Sequence, residues 1–154
     1  MNPRAENAFD RAWSVIVLFV ALVAVGITAP AAIACDYPAK LVRVTDGDTI
    51  EVEVAVWPSL TVRASLRLAG LNAPESRGAV SACEREAGLK AKAFSERFLR
   101  ERQGPLTVNV AGPDKYGRML GRARMGAEDL GSALLAAGLA RPYAGGRRAP
   151  WCAP

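Results

Sequence analysis

Histidine is missing from all 154 residues of the chain. Its absence removes Ser–His–Asp hydrolases, histidine-based nucleases and most zinc enzymes, all of which need an imidazole as base or ligand. Hydrolytic chemistry here must rest on carboxylates, arginines and a hard, oxygen-seeking cation. Cysteine is scarce, at Cys35, Cys83 and Cys152 only. Without an imidazole to activate a thiol, a cysteine nucleophile has no support. Outside the cytoplasm a disulfide between Cys83 and Cys152 is the default expectation, with Cys35 left over. Closing a loop of that length is worth ~4–5 kcal/mol in the chain-entropy model if the bond is unstrained. Aromatics are also few, and the β-prone segments offer little beyond Trp57, which counts against a domain that grips single strands by stacking. Internal repeats and low-complexity tracts are lacking as well.

The one long apolar run lies at the start. Arg4 and Arg11 precede Ala12 to Ala29, and small residues follow, ending Ala32-Ile33-Ala34. This is the layout of a secretory signal: a charged start, a greasy middle and an A-x-A exit. Residues 1–34 are therefore expected to be a signal peptide. The same run, residues 12–29, is just long enough to serve instead as a membrane anchor. Either way the remainder is expected to be exported, periplasmic or secreted. Cys35 directly after the A-x-A resembles a lipoprotein box, with Ala32 where leucine is usual. Residues 35–154 are long enough for one self-sufficient domain. The formal net charge of +5 favours anionic partners, nucleic acid among them. Nothing demands more than a monomer.

Along that domain, Leu41 to Val44 is a short apolar run that stops at Asp46-Gly47-Asp48, a turn signal because glycine accepts positive φ. Ile50, Val52, Val54 and Val56 then alternate with Glu51 and Glu53. After the turn Trp57-Pro58-Ser59, Val62, Ala64, Leu66 and Leu68 alternate with Arg63, Ser65 and Arg67. The period of two predicts half-buried strands, so this stretch reads as a three-stranded meander. Gly70 to Val80 has loop composition. Glu84 to Arg102 reads as a helix with Ala87, Ala91, Phe94 and Phe98 facing the core, ended by Gly104-Pro105. Leu106 to Val110 and Met119 to Met125 supply two more strands. Asp129 is placed to cap a last helix carrying Leu130, Leu134 and Leu135 and closed by Gly138. The tail Gly145-Gly146-Arg147-Arg148 is polar and flexible until Trp151-Cys152 can pin it. The expected fold class is mainly β (α+β): a five-stranded Greek-key barrel of OB type with two to three helices.

Three distant segments carry chemistry: Val44-Thr-Asp-Gly-Asp-Thr49, Arg67-Leu-Ala-Gly-Leu-Asn-Ala-Pro-Glu75 and Asp114-Lys-Tyr-Gly-Arg118. Cleaving a phosphodiester without histidine needs a cation at the phosphate. It needs fixed donors for the charge that builds on the equatorial oxygens, and arginine's planar fork suits that. It needs a carboxylate to orient or deprotonate water, and a basic surface to attract the polyanion. Asp48 and Asn72 offer oxygen ligands, Arg67 and Arg118 offer forks, and Glu75 follows Asn72 across a proline that stiffens the loop.

With those segments in that order, the chain resembles the staphylococcal nuclease (thermonuclease) family over nearly all of residues 40 to 144. Similar features are D-G-D-T at Asp46 to Thr49, R-L-x-G-x-x-A-P-E at Arg67 to Glu75, D-K-Y-G-R at Asp114 to Arg118 and the segment Ala136 to Arg141. The Gly-Gly-Arg-Arg and Trp-Cys ending resembles bacterial exported members. The resemblance implies an OB-fold, Ca²⁺-dependent endonuclease acting on DNA and RNA with little base preference and leaving 3′-phosphates. It further implies that Asp48, Asn72 and the Ala73 carbonyl bind Ca²⁺ and that Glu75 is the base or water-positioning group. Arg67 and Arg118 would clamp the reacting phosphate, and Lys115 and Tyr116 would contact a neighbouring one. Asn72 departs from the family's aspartate, so calcium affinity is expected to be weaker. The alternative is a catalytically weak or inactive OB module that binds single-stranded nucleic acid.

Overall fold

A computed structural model describes residues 35–152. The expected signal or anchor segment, residues 1–34, lies outside the described residues. Eight strands and two helices follow one another from residue 36. They are β1 (Asp36–Asp46), β2 (Thr49–Trp57), β3 (Leu60–Leu68), β4 (Leu71–Asn72), α1 (Ala82–Glu101), β5 (Leu106–Pro113), β6 (Met119–Met125), β7 (Glu128–Asp129), α2 (Leu130–Ala136) and β8 (Arg141–Pro142).

The expected meander forms β1, β2 and β3, all antiparallel, with Leu41 opposite Val52 and Ile50 opposite Leu66. β5 then pairs with β1 and β6 with β5. The end of β3 pairs in parallel with the start of β6, Arg67 opposite Leu120, and this closes a five-stranded barrel. Closure leaves those strands with no long open edge, which is how an all-β barrel of this size avoids edge pairing. The barrel is the OB-like architecture read from the sequence.

Inside it, Ile50, Val52, Leu66, Val108 and Ala123 are fully enclosed. Phe98 and Leu99 of α1 and Leu130 and Leu134 of α2 complete the core. Each large apolar side chain buried this way is worth about 1.5–3 kcal/mol. β1 begins at Asp36, earlier than the apolar run at Leu41, because Tyr37 and Pro38 pair with Val108 and Thr107 of β5. α1 begins at Ala82 because Ser81 accepts the Glu84 N–H at 3.1 Å, while Glu84 reaches back to the Val80 N–H at 3.0 Å. Such a reciprocal cap typically contributes about 1 kcal/mol. Asp129 caps α2 as expected, accepting the Ser132 N–H at 2.7 Å.

The alternation read for β3 does not appear in its burial. Leu60 and Val62 are exposed, whereas Leu66, Arg67 and Leu68 are buried in succession. Arg67 was expected on the polar face. That face is covered here by the segment that follows β3, and the cover makes the candidate site.

Candidate functional site

The turn between β1 and β2 is short, and every residue in it is held. Asp46 pairs with Thr49 in the ladder, leaving Gly47 and Asp48 at the tip. The Asp48 carbonyl accepts the Leu68 N–H at 2.8 Å, and the Gly47 carbonyl accepts the Ser95 hydroxyl of α1 at 2.6 Å. Asp46 accepts the Ser76 N–H at 3.1 Å and the Ser76 hydroxyl as well, tying the loop beyond β4 to the hairpin. A turn between hydrophobic strands is ordinarily wet. This one is pressed against α1, and the Asp48 side chain is only 1% exposed.

Burial obliges the Asp48 carboxylate to find partners. Its Oδ1 accepts from Arg67 Nη1 and from the Thr49 hydroxyl at 3.1 Å, and its Oδ2 accepts the Ala73 N–H at 2.5 Å. Arg67 Nη2 donates to Asn72 Oδ1 at 2.9 Å. One guanidinium thus bridges Asp48 and Asn72, and Ala73 joins the same cluster through its N–H. Removal from water, the strongest influence, pushes the Asp48 carboxyl above its usual 3.8; Arg67, the Ala73 N–H and the Thr49 hydroxyl pull it back in part.

Glu75 sits on the loop beyond β4, and α1 receives this loop at a glycine. A Cβ on Gly88 would lie 2.4 Å from the Glu75 carbonyl oxygen, so only glycine lets helix and loop approach this closely. The Glu75 side chain accepts from Arg148 Nη1 at 2.7 Å. Across the opening, Asp114 organises the β5–β6 turn by accepting the N–H groups of Tyr116 at 2.8 Å and Arg118 at 3.0 Å. Arg118 returns its Nε to Asp114 at 2.7 Å. Tyr116 stands exposed, with Lys115 Nζ 4.9 Å and the Arg118 guanidinium 5.3 Å from its ring centre.

Arg67, Arg118, Arg148, Lys115, Tyr116 and Tyr143 line one cleft of about 390 Å³. The two arginines that the sequence separates by fifty positions face a shared space. Such a cleft can hold an oxyanion between planar forks. The end of β3, the β5–β6 turn, the start of β6 and the segment after β8 make it. The short β4–β8 pair brings that segment in: Leu71 pairs with Pro142, Asn72 with Arg141, and Tyr143 N–H reaches the Gly70 carbonyl at 2.9 Å.

A family model of staphylococcal nuclease homologues matches residues 65–150. The chain belongs to that family. The match takes in Arg67, Asn72, Glu75, Lys115, Tyr116, Arg118 and Arg148, and the turn bearing Asp48 precedes it. No curated protein matches the chain.

The donor chemistry around Asp48 can be compared with what an alkaline-earth ion requires. Carboxylate, amide and main-chain oxygens are the hard ligands calcium takes, six to eight of them in all. Among the described residues no three of His, Cys, Asp and Glu cluster as a metal group. The side-chain oxygens of Asp48 and Asn72 also receive Arg67. The residues fit a cation of low protein charge count that keeps several waters of its own, with Arg67 as a competitor for the same oxygens.

The sequence singled out Arg67, Arg118, Asp48, Asn72 and Glu75 and passed over the contacts of Arg148, Asp46, Ser76 and Ser95. Asp46 was legible only as a turn residue. Ser76 and Ser95 carry no pattern, since a buried hydroxyl is recognisable only by its partner. The sole signal for Arg148 was a basic pair in a glycine-rich tail.

Proposed function

We propose that the protein is an exported, calcium-dependent endonuclease that hydrolyses phosphodiester bonds of DNA and RNA with little base preference and leaves 3′-phosphates. The observation that carries this reading is the cleft that Arg67 and Arg118 share. In it a phosphodiester would exchange the internal partners of both arginines for its own oxygens. Arg67 would leave Asp48 and Asn72, and Arg118 would leave Asp114. Each fork would then follow the charge that grows on the equatorial oxygens, where preorganised donors lower the barrier most.

Glu75 would hold the attacking water and accept its proton. The water oxygen bonds to phosphorus, the bond to the 5′ oxygen breaks, and that oxygen leaves as a hydroxyl protonated from solvent. Lys115 and Tyr116, at the rim beside Arg118, would grip the next phosphate along the strand. Asp48, Asn72 and the Ala73 carbonyl would hold calcium. When bound, the ion would supply charge neutralisation at the phosphate. The chain would act as a monomer, with DNA and RNA as its substrates and no protein partner.

The test is cleavage of plasmid, single-stranded DNA and RNA by residues 35–154, with millimolar calcium and then with chelator. Cleavage only with calcium, giving 3′-phosphate ends, is the expected result. Binding without any cleavage would point instead to a module that holds nucleic acid and does not cut it.

A further inference from the structure

Arg148 enters the cleft from a part of the chain with no regular structure to place it. Between β8 and Cys152 the backbone forms neither helix nor strand. Gly145 and Gly146 take φ values of 102° and 89°, open to glycine and strained for other residues. Such a segment, left to itself, would spread its arginine through a wide volume. Point anchors collect it. Tyr143 donates its hydroxyl to the Gly146 carbonyl at 2.7 Å. Arg141 donates to the Pro150 carbonyl at 3.1 Å and lies 4.2 Å above the Trp151 ring centre. Cys152 is bonded to Cys83, in the first turn of α1.

The noncovalent anchors are weak. The Arg148–Glu75 pair has side chains 42% and 27% exposed, and ion pairs this wet contribute little. The disulfide is the one covalent tie, and it leads to the helix that seats Glu75 through Gly88. Both ends of the Arg148–Glu75 contact are therefore referred to the same helix.

We propose that Arg148 is a third phosphate-binding guanidinium of the cleft and that the Cys83–Cys152 disulfide holds it there. In the free protein the Glu75 carboxylate occupies Arg148 as the Asp114 carboxylate occupies Arg118. When the anionic strand enters, its phosphate takes over that fork. The inference rests on the cleft being a phosphate site and deepens that reading by adding a residue outside its three motifs. Reduction by a dithiol breaks the S–S bond. Cys83 and Cys152 each gain a hydrogen, the dithiol closes to a cyclic disulfide, and Arg148 is freed from its place.

The experiment is fluorescence anisotropy of a labelled single-stranded oligodeoxythymidylate in chelator, so that nothing is cut, over a series of salt concentrations. Wild type, Arg148→Ala, Arg148→Lys and Cys83→Ser/Cys152→Ser are compared, the last to prevent mispairing with Cys35. One phosphate contact on a single strand contributes a slope of about 0.7 in log K against log salt. Arg148→Ala is expected to lose about that much slope and to bind roughly fivefold more weakly at 0.1 M salt. Arg148→Lys should keep the slope. The double Ser variant, and dithiothreitol-treated wild type, should match Arg148→Ala. Dithiothreitol should have no further effect on Arg148→Ala, whose own disulfide is intact beforehand and whose fold is checked by circular dichroism. An unchanged slope in Arg148→Ala, with wild type binding well, overturns the inference alone, as does equal weakening of wild type and Arg148→Ala by dithiothreitol. A wild type that does not bind the oligonucleotide overturns the phosphate reading of the cleft and this inference with it.

Discussion

Arg67 Nη1 donates to Asp48 Oδ1 with both side chains almost sealed from water, at 7% and 1% exposure. On the proposed function, a substrate phosphate competes with Asp48 and Asn72 for Arg67, and a cation competes with Arg67 for the Asp48 and Asn72 oxygens. Substrate and cation should therefore each ease the other's entry, since each takes one member of the pair. Separating the pair without replacements is costly, because each charge would be left buried and unpaired.

Arg67→Ala follows from that relationship. Removing one partner of a buried ion pair strands the other, typically at a cost of about 3–5 kcal/mol. In chelator the variant is expected to lose about 3 kcal/mol by urea unfolding. Millimolar calcium should shrink the deficit by giving Asp48 a counter-charge. Activity should fall on the order of 10²–10³, as for loss of one transition-state donor. A stability loss under about 1 kcal/mol, unchanged by calcium, would mean that Asp48 was never dependent on Arg67.

Asn72→Asp adds a charge to the donor set without changing its shape. Calcium affinity rises with ligand charge count. The concentration for half-maximal cleavage, and the dissociation constant by calorimetry, should both fall, by roughly tenfold for each 1.4 kcal/mol gained. Arg67 tolerates the change because its Nη2 already faces that oxygen. Calcium dependence identical to wild type would remove Asn72 from the ligand set.

Much of this was legible in the sequence, for identifiable reasons. Strand β2 was readable because one face of it is wet and the other dry, so its side chains alternate. The same logic failed at Arg67, where a covering loop buries the polar face as well. The cap at Asp129 was readable because it is local, satisfying the Ser132 N–H three residues on. Ser81 and Asp114 act just as locally, yet Ser81 was passed over and the helix was read from Glu84. Contacts such as Ser95 with Gly47 and Arg148 with Glu75 span 48 and 73 residues. No periodicity encodes them, and they exist only once barrel closure and the β4–β8 pair have set the distances.

Asp114 gives a pH signature for the far side of the cleft. Loss of hydration acts to raise its carboxyl, but the hydrogen bonds from Arg118 and from the Tyr116 and Arg118 N–H groups outweigh it and hold it below the usual 3.8. A depressed folded value means that the turn is stabilised above the unfolded value and loses that support as pH falls through the folded one. By carboxyl-detected NMR, Asp114 is expected to titrate below 3.8 in wild type and to move up towards 3.8 in Arg118→Ala. Chemical shifts of Tyr116 should change over the same acid range, since its N–H reports the same carboxylate. An Asp114 titration that ignores the loss of Arg118 would break the link between turn and fork.

Gly88→Ala sets two effects of opposite sign against each other. Inside a helix alanine is favoured over glycine by about 1 kcal/mol. Here the added Cβ would stand 2.4 Å from the Glu75 carbonyl oxygen and 2.6 Å from the Ser76 N, both of them backbone atoms that cannot rotate away. Overpacking of that kind costs about 1–3 kcal/mol, so the variant should be the less stable protein by about 1 kcal/mol or more in thermal and urea unfolding. The loop must yield, and with it the position of Glu75, at a cost of up to roughly 10²-fold in turnover. Gly78→Ala is the matched control, since its Cβ would meet nothing within 4 Å. A change there should stay within about 0.5 kcal/mol. If Gly88→Ala instead gains the full helical preference and keeps its turnover, α1 does not set the place of Glu75, and its positioning must come from Ser76 and Asp46.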